Sequence, residues 1–300
     1  MTEQRADVTT LRRACGHTLH SILPALIAAV SVAATTNAAA PPPQATEAYD
    51  FAKQLAQAGP RPAGSPAERR AHQRVANRFR TAGLRVGFER FTVPGKGTSR
   101  DVIGNRDTPA RCLVIAMAHA DTVPPAPGAD DNASGVGTLV ALAPALAAGS
   151  APKCDTWLVV TGSEERPYTR QPDHLGAAAL VRRLERTHRL RDVHLALSLD
   201  EVGRGKRFEL RSPVARTRPT VEQPILEAAR AAHVDVTWLR DSATGNSDHR
   251  ELALAGAPAA KLGVPDEPLR HTASDTPERL QRGAFARVLR VVWPLLGELS

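Results

Sequence analysis

The sequence predicts an α/β fold: one domain built on a single mixed, mainly parallel central sheet with helices on both faces. Three observations predict it. Short, predominantly apolar runs at 113–118, 157–161 and 193–199 have the length and content of strands buried on both sides. Helix-like segments alternate with them, as the crossovers of a parallel sheet require. Histidine and acidic residues stand just past the carboxyl ends of these runs, where open α/β sheets bind ligands.

Taken in order, residues 1–40 read as a leader. Arg12 and Arg13 precede an apolar run at 22–34, and the small residues of 35–40 follow. This is the charged region, apolar region and cleavage zone of an export signal, with cleavage expected near 38–40. The apolar run is short for a membrane span, so membrane contact is expected only if the leader is retained as an anchor. Either way the folded part is expected outside the cytoplasm. Residues 41–46 form a Pro-rich linker and 47–300 the folded domain.

A helix is expected at 48–58, stopped by Gly59-Pro60. Ser65, Pro66 and Glu68 then supply an N-cap, a first-turn proline and a capping-box acid for a second helix. Ala71, Val75 and Phe79 fall on one face of it, and Gly83 ends it. Leu84, Val86 and Phe88 alternate as a strand up to the Pro94-Gly95 turn, and a shorter strand lies around Val102. The central strand at 113–118 leads to a small-residue helix at 132–148, which has no charged side chain and must be buried; Pro144 is expected to kink it. Strand 157–161, a polar loop at 166–173, a helix at 174–186 and strand 193–199 follow. Residues 208–210 read as a strand that can pair antiparallel with its neighbour. A helix at 220–232, a strand at 234–239, a loop at 242–252, a last strand at 257–264 and a closing helix at 276–299 complete the chain.

Composition narrows the function. The formal net charge is +8, carried mostly by arginine, but the basic residues form no stripe, and aromatic residues are 4% of the chain. A nucleic-acid partner is therefore not expected. Cys112 and Cys154 each stand ahead of a predicted central strand. They can pair in an exported chain or remain free and buried. Neither lies at a strand's carboxyl tip, so neither is taken as a metal ligand.

The chemistry gathers at the strand ends. His119 and Asp121 end one strand, Glu164 and Glu165 another, and Asp200 a third. His271 follows a fourth after a short loop, and Asp131 lies in the loop after the first. Two histidines with three carboxylates suit zinc, and manganese or cobalt also fit. One carboxylate can bridge two metals, and the remaining member of the Glu-Glu pair can serve as general base. Each piece alone has an ordinary reading as a cap, a turn or a solvated surface group; the shared strand-end placement argues for a site.

Over 45–298 the sequence resembles the co-catalytic zinc exopeptidases related to bacterial leucyl aminopeptidase, a group that includes glutamate carboxypeptidase and glutaminyl cyclase. The resemblance is carried by GPRPAGSPAERRAH, AHAD, PGADDNASG, SEE, LSLDEVG, SDH and RHTASDTPE, in that order. It implies two zinc ions bridged by Asp131. His119 and Asp200 would complete one site, Glu165 and His271 the other. Glu164 would be the general base, and Asp121 would orient the imidazole of His119. A cis peptide would fall at Asp131-Asn132, and His249 would lie near the site without being a ligand. The expected activity is that of an exported aminopeptidase acting on peptides. Dipeptidases and deacylases, glutaminyl cyclases and a non-catalytic binding ectodomain are the alternatives. The chain departs from the pattern at 166–173, where an arginine-bearing loop separates the glutamate pair from the next helix; its arginines either meet a substrate carboxylate or face solvent.

Overall fold

A computed structural model describes residues 42–149, 152–170, 172–213, 219–241 and 245–298. The expected leader and its cleavage zone lie outside the described residues. Within them, one sheet of eight strands runs β1-β2-β4-β3-β5-β8-β6-β7. The strands are β1 (Arg85–Val93), β2 (Gly97–Arg106), β3 (Leu113–His119), β4 (Asp155–Thr161), β5 (Val193–Leu199), β6 (Arg207–Ser212), β7 (Asp235–Arg240) and β8 (Ala259–Gly263). The four central strands β4, β3, β5 and β8 are mutually parallel. The β1–β2 hairpin joins one edge antiparallel to β4. On the other side, β6 runs antiparallel to β8 and parallel to β7.

Every residue of β3 and β4 is buried. Alternation along β3 divides its side chains between two cores. Val114, Ala116 and Ala118 join the larger cluster on one face, and Leu113, Ile115 and Met117 the smaller one on the other. Helices α1 (Ala45–Gln57), α3 (Gly135–Ala148), α6 (Pro219–Ala231) and α8 (Arg282–Glu298) feed the first face. Helices α5 (Leu175–Arg186) and α7 (His249–Leu254) feed the second. Helix α2 (Pro66–Thr81) and the single-turn α4 (Arg166–Thr169) complete the set. Because β4 and β5 lie on opposite sides of β3, the chain changes direction at β3, and a crevice opens at the carboxyl ends of these strands.

Several expectations are adjusted. Helix α1 begins at Ala45, so the Pro-rich linker is shorter than expected. Strand β2 has ten residues, because it pairs with β1 over 97–105 and with β4 over 102–106. Its Thr-Ser-Arg-Asp run hides that double pairing. The loop at 242–252 contains α7. Helix α3 begins at Gly135, three residues later than expected, and includes Pro144. The closing helix starts only at Arg282: Pro277–Arg279 form a tight turn, Leu280 is extended, and Gln281 N–H donates to the Gly203 carbonyl at 2.8 Å. Ser65 caps α2 by accepting from Glu68 N–H at 3.1 Å, as expected. The Glu68 carboxylate, however, reaches beyond its own helix start. It accepts from Gly64 N–H (2.8 Å), Ser99 Oγ (2.8 Å) and Ser163 N–H (3.1 Å), which ties α2 to the tip of β4. Cys112 and Cys154 are joined in a disulfide.

Candidate metal centre

His119 is the last residue of β3, and the chain beyond it is held by a residue far upstream. Arg61 is fully buried and donates to the carbonyls of Ala120 (2.8 Å), Pro127 (2.7 Å) and Gly128 (3.0 Å). This fixes the Pro/Gly loop that leads to Asp131. In the sequence Arg61 is one letter of GPRPAGSPAERRAH, and its long-range role has no local signal. At the loop's end, the Asp275 carboxylate accepts from Asp130 N–H (2.8 Å) and Asp131 N–H (3.1 Å). The Asp131-Asn132 peptide is cis. Asn132 then donates to the Leu199 carbonyl at 2.9 Å and accepts from Gly135 N–H at 2.9 Å, which locks the start of α3 onto the tip of β5.

The strand ends bring the expected side chains together. Asp131 Oδ1 lies 3.2 Å from His119 Nε2, and its Oδ2 lies 3.2 Å from His271 Nε2. Asp200 Oδ1 is 3.5 Å from His119 Nε2, and Glu165 Oε2 is 2.9 Å from His271 Nε2. Two groups result, each with its donor atoms within 4.8 Å: His119, Asp131, Asp200 and Asp131, Glu165, His271. They share Asp131. A third such group, His119, Glu164 and Glu165, overlaps both. His249 lies outside all of them; its Nε2 is 3.0 Å from Asp241 Oδ2.

Asp121 lies against His119, as expected, and has a further role. Its carboxylate accepts from Glu164 N–H (3.0 Å) and Glu165 N–H (3.1 Å), while its Oδ1 is 3.7 Å from His119 Nδ1. The near contact of His119 Nδ1 is the Asp121 carbonyl, at 3.2 Å. Asp121 thus braces the glutamate pair as well as the histidine, by its carboxylate and its backbone respectively.

Electrostatics follow from crowding. Burial opposes charge on Asp131, but its bonds to His119 and His271 outweigh it and hold the carboxyl well below its usual range. Burial likewise opposes charge on His119, yet Glu164, Asp121, Asp131 and Asp200 raise it well above an ordinary histidine. Burial raises Glu165 strongly, with Asp131 adding repulsion. Two partners were missed from sequence. Lys261 Nζ is 2.9 Å from Asp200 Oδ2 and sits next to Glu201, in a strand that reads as plain core. His174 Nε2 is 3.2 Å from Glu164 Oε1; burial opposes its charge, but Glu164 and Glu251 lift it to about 10.

The donors fit divalent metal. Glu165 Oε1 and Asp200 Oδ1 are buried with no hydrogen-bond partner, a cost that a bound metal ion would remove. Nitrogen and carboxylate donors without thiolate match the zinc, manganese and cobalt class. A cavity of about 210 Å³ opens in front of these groups.

Residues 101–296 match Peptidase family M28. The chain belongs to that family. It is 32% identical over 142 residues to the uncharacterized protein YfbL of Escherichia coli, a match that spans 45% of this chain and 42% of that relative. Solved structures share the fold at low identity. A zinc aminopeptidase from Bacillus subtilis superposes with a TM-score of 0.74 at 17% identity, covering 86% of this chain and 95% of that one. A leucine aminopeptidase precursor from Bacteroides thetaiotaomicron gives 0.73 at 20% identity over 86% and 98%. Glutaminyl cyclase from Porphyromonas gingivalis gives 0.75 at 22% identity over 86% and 99%.

Proposed function

We propose that this member of the peptidase family is an exported, zinc-dependent aminopeptidase with two metal ions per chain. The observation that carries the reading is Asp131, whose two oxygens face two separate donor groups. His119, Asp131 and Asp200 would hold one ion, and Asp131, Glu165 and His271 the other. Ions there would supply Lewis acidity to a peptide carbonyl and acidify the attacking water. Glu164 is the general base: it takes the water's proton and returns it to the leaving amine. His174 holds the Glu164 carboxylate on the cavity wall. Asp121 sets the backbone from which both glutamates project. The small cavity favours trimming of a chain end over cleavage within a chain. The disulfide and the leader pattern support export, since disulfides persist in oxidising compartments.

The test uses one peptide with a free and with an acetylated N-terminus. Stepwise loss from the free N-terminus alone, abolished by chelation, is expected by mass spectrometry. Glu164→Gln should lower kcat by a factor of at least about 100 while zinc content is retained. Full activity in that variant would sink the assignment of the base. Loss from the C-terminus would overturn the aminopeptidase reading, and cyclisation of N-terminal glutamine would point to the other activity known for this fold.

A further inference from the structure

The wall of the cavity says which substrates it suits. Beyond the metal-group residues, its described lining includes Arg166, Arg250, Arg270, Asn246 and His174, and Pro167 is the one apolar side chain among the described lining residues. Apart from Pro167 and the carbon stems of polar side chains, such a wall offers a leucine or phenylalanine side chain little to pack against, and burying one there would desolvate guanidinium groups.

The three arginines are not equally available. Arg250 is committed, with Nη1 at 3.2 Å from each oxygen of Asp173. Arg270 is held through Nη1 alone, 3.3 Å from Glu201, and its side chain is 41% exposed. Arg166 is exposed and its side chain has no hydrogen bond or ion pair among the described residues. Both available arginines are tied to one donor group by chain position: Arg166 directly follows Glu165, and Arg270 directly precedes His271. Both also line the cavity that Asp131, Glu165 and His271 line. Charge counting points the same way. Two divalent ions would balance Asp131, Glu164, Glu165 and Asp200, while Lys261 is divided between Asp200 and Glu201, and Glu201 also meets Arg270. Arg166 then has no counter-charge of its own, and Arg270 only a shared one.

We infer that the cavity takes a peptide carrying a carboxylate next to the bond to be cleaved, and that Arg166 and Arg270 bind that carboxylate as specificity-determining residues. This rests on the exopeptidase reading and adds the substrate class to it. A guanidinium fork matches a carboxylate in geometry as well as charge. The carboxylate has two sources, an acidic side chain on the N-terminal residue or the free C-terminus of a dipeptide.

Three dipeptides separate them: Leu-Ala amide has no carboxylate, Leu-Ala has the terminal one, and Glu-Ala amide has the side-chain one. Binding is measured by calorimetry on the zinc-loaded Glu164→Gln protein, and turnover on the zinc-loaded wild type. One of the two acidic dipeptides is expected to bind about tenfold tighter than Leu-Ala amide, the size of one charge-assisted contact. Glu-Ala amide as the winner assigns the side chain; Leu-Ala assigns the C-terminus. Arg166→Gln in the same background should lower the preference severalfold, and adding Arg270→Gln should bring it near parity with zinc content unchanged. Equal binding of all three dipeptides, or a preference that survives both substitutions, overturns the inference and leaves the peptidase reading intact. A preference that holds while the wild type cleaves none of them overturns the peptidase reading and leaves the anion-binding wall standing.

Discussion

Among single residues, Asp131 is the one shared by both three-residue donor groups. Its oxygens sit 3.2 Å from His119 Nε2 on one side and 3.2 Å from His271 Nε2 on the other. Its backbone N–H is fixed by Asp275. Those two histidines hold it ionised well below the usual carboxyl range, against its burial. On the proposed reading, Asp131→Asn removes the shared charge without changing the size of the side chain. Zinc content should fall from about two equivalents to well under one. His271→Ala should behave differently: its side chain is 30% exposed and serves one group only, so about one equivalent should remain. Metal analysis of the two purified variants checks the contrast. Equal loss in both would mean that the two groups do not bind separately.

At the scale of elements, the site depends on how closely backbone segments approach. A Cβ on Gly135 would lie 2.2 Å from the Leu199 carbonyl, 2.6 Å from Asn132 Oδ1 and 2.9 Å from Ala118 Cβ. The start of α3 is thus pressed against the tips of β3 and β5, and the Asn132–Gly135 hydrogen bond closes the turn after Asp131. Gly135→Ala should lower unfolding stability by about 1–3 kcal/mol through overpacking, and it should weaken zinc binding as the turn is displaced. Urea unfolding and a zinc titration of the same variant report the two effects. The elements legible in the sequence are those whose signal is local. The apolar runs of β3 and β4 can be read directly, as can the Ser65 cap. The full length of β2 could not be read, because its polar half gains its place from β1. Six-residue α7 is too short to show a period. The same division holds for the site. His119, Glu165 and Asp200 at strand ends, with Asp131 and His271 in the loops that follow strands, are polar residues on the carboxyl side of apolar runs and stand out. Arg61, Glu68, His174 and Lys261 act across the chain from segments that look ordinary.

At the scale of the whole molecule, the region behind the metal centre is built from titratable groups removed from water, and stability there should depend on pH. His72 on α2 shows the sign. It is fully buried, with Nε2 at 3.3 Å from the Thr161 carbonyl at the end of β4. Burial lowers its pKa to about 4, and Arg100 adds to the effect, while the Thr161 carbonyl and Asp121 only partly oppose it. In the unfolded chain an ordinary histidine titrates near 6.5. The unfolded state therefore binds the proton first, so the stabilisation is complete above about pH 6.5 and is lost as pH falls towards 4. The displacement corresponds to about 3 kcal/mol at the acid end. His174 and His271 run in the opposite sense. Each is raised to about 10 in the metal-free protein, so their contribution is present below about 6.5 and is lost as pH rises through 10. Carboxylates add acid sensitivity of their own, so the test is a difference. His72→Gln keeps an amide donor for the Thr161 carbonyl and does not titrate. Between pH 7 and pH 4, with chelator present throughout, wild type should lose about 3 kcal/mol more unfolding free energy than His72→Gln. Parallel losses in the two proteins would show that His72 takes up its proton in the fold as readily as in the unfolded chain, and the neutral contact between α2 and the tip of β4 would have to be abandoned.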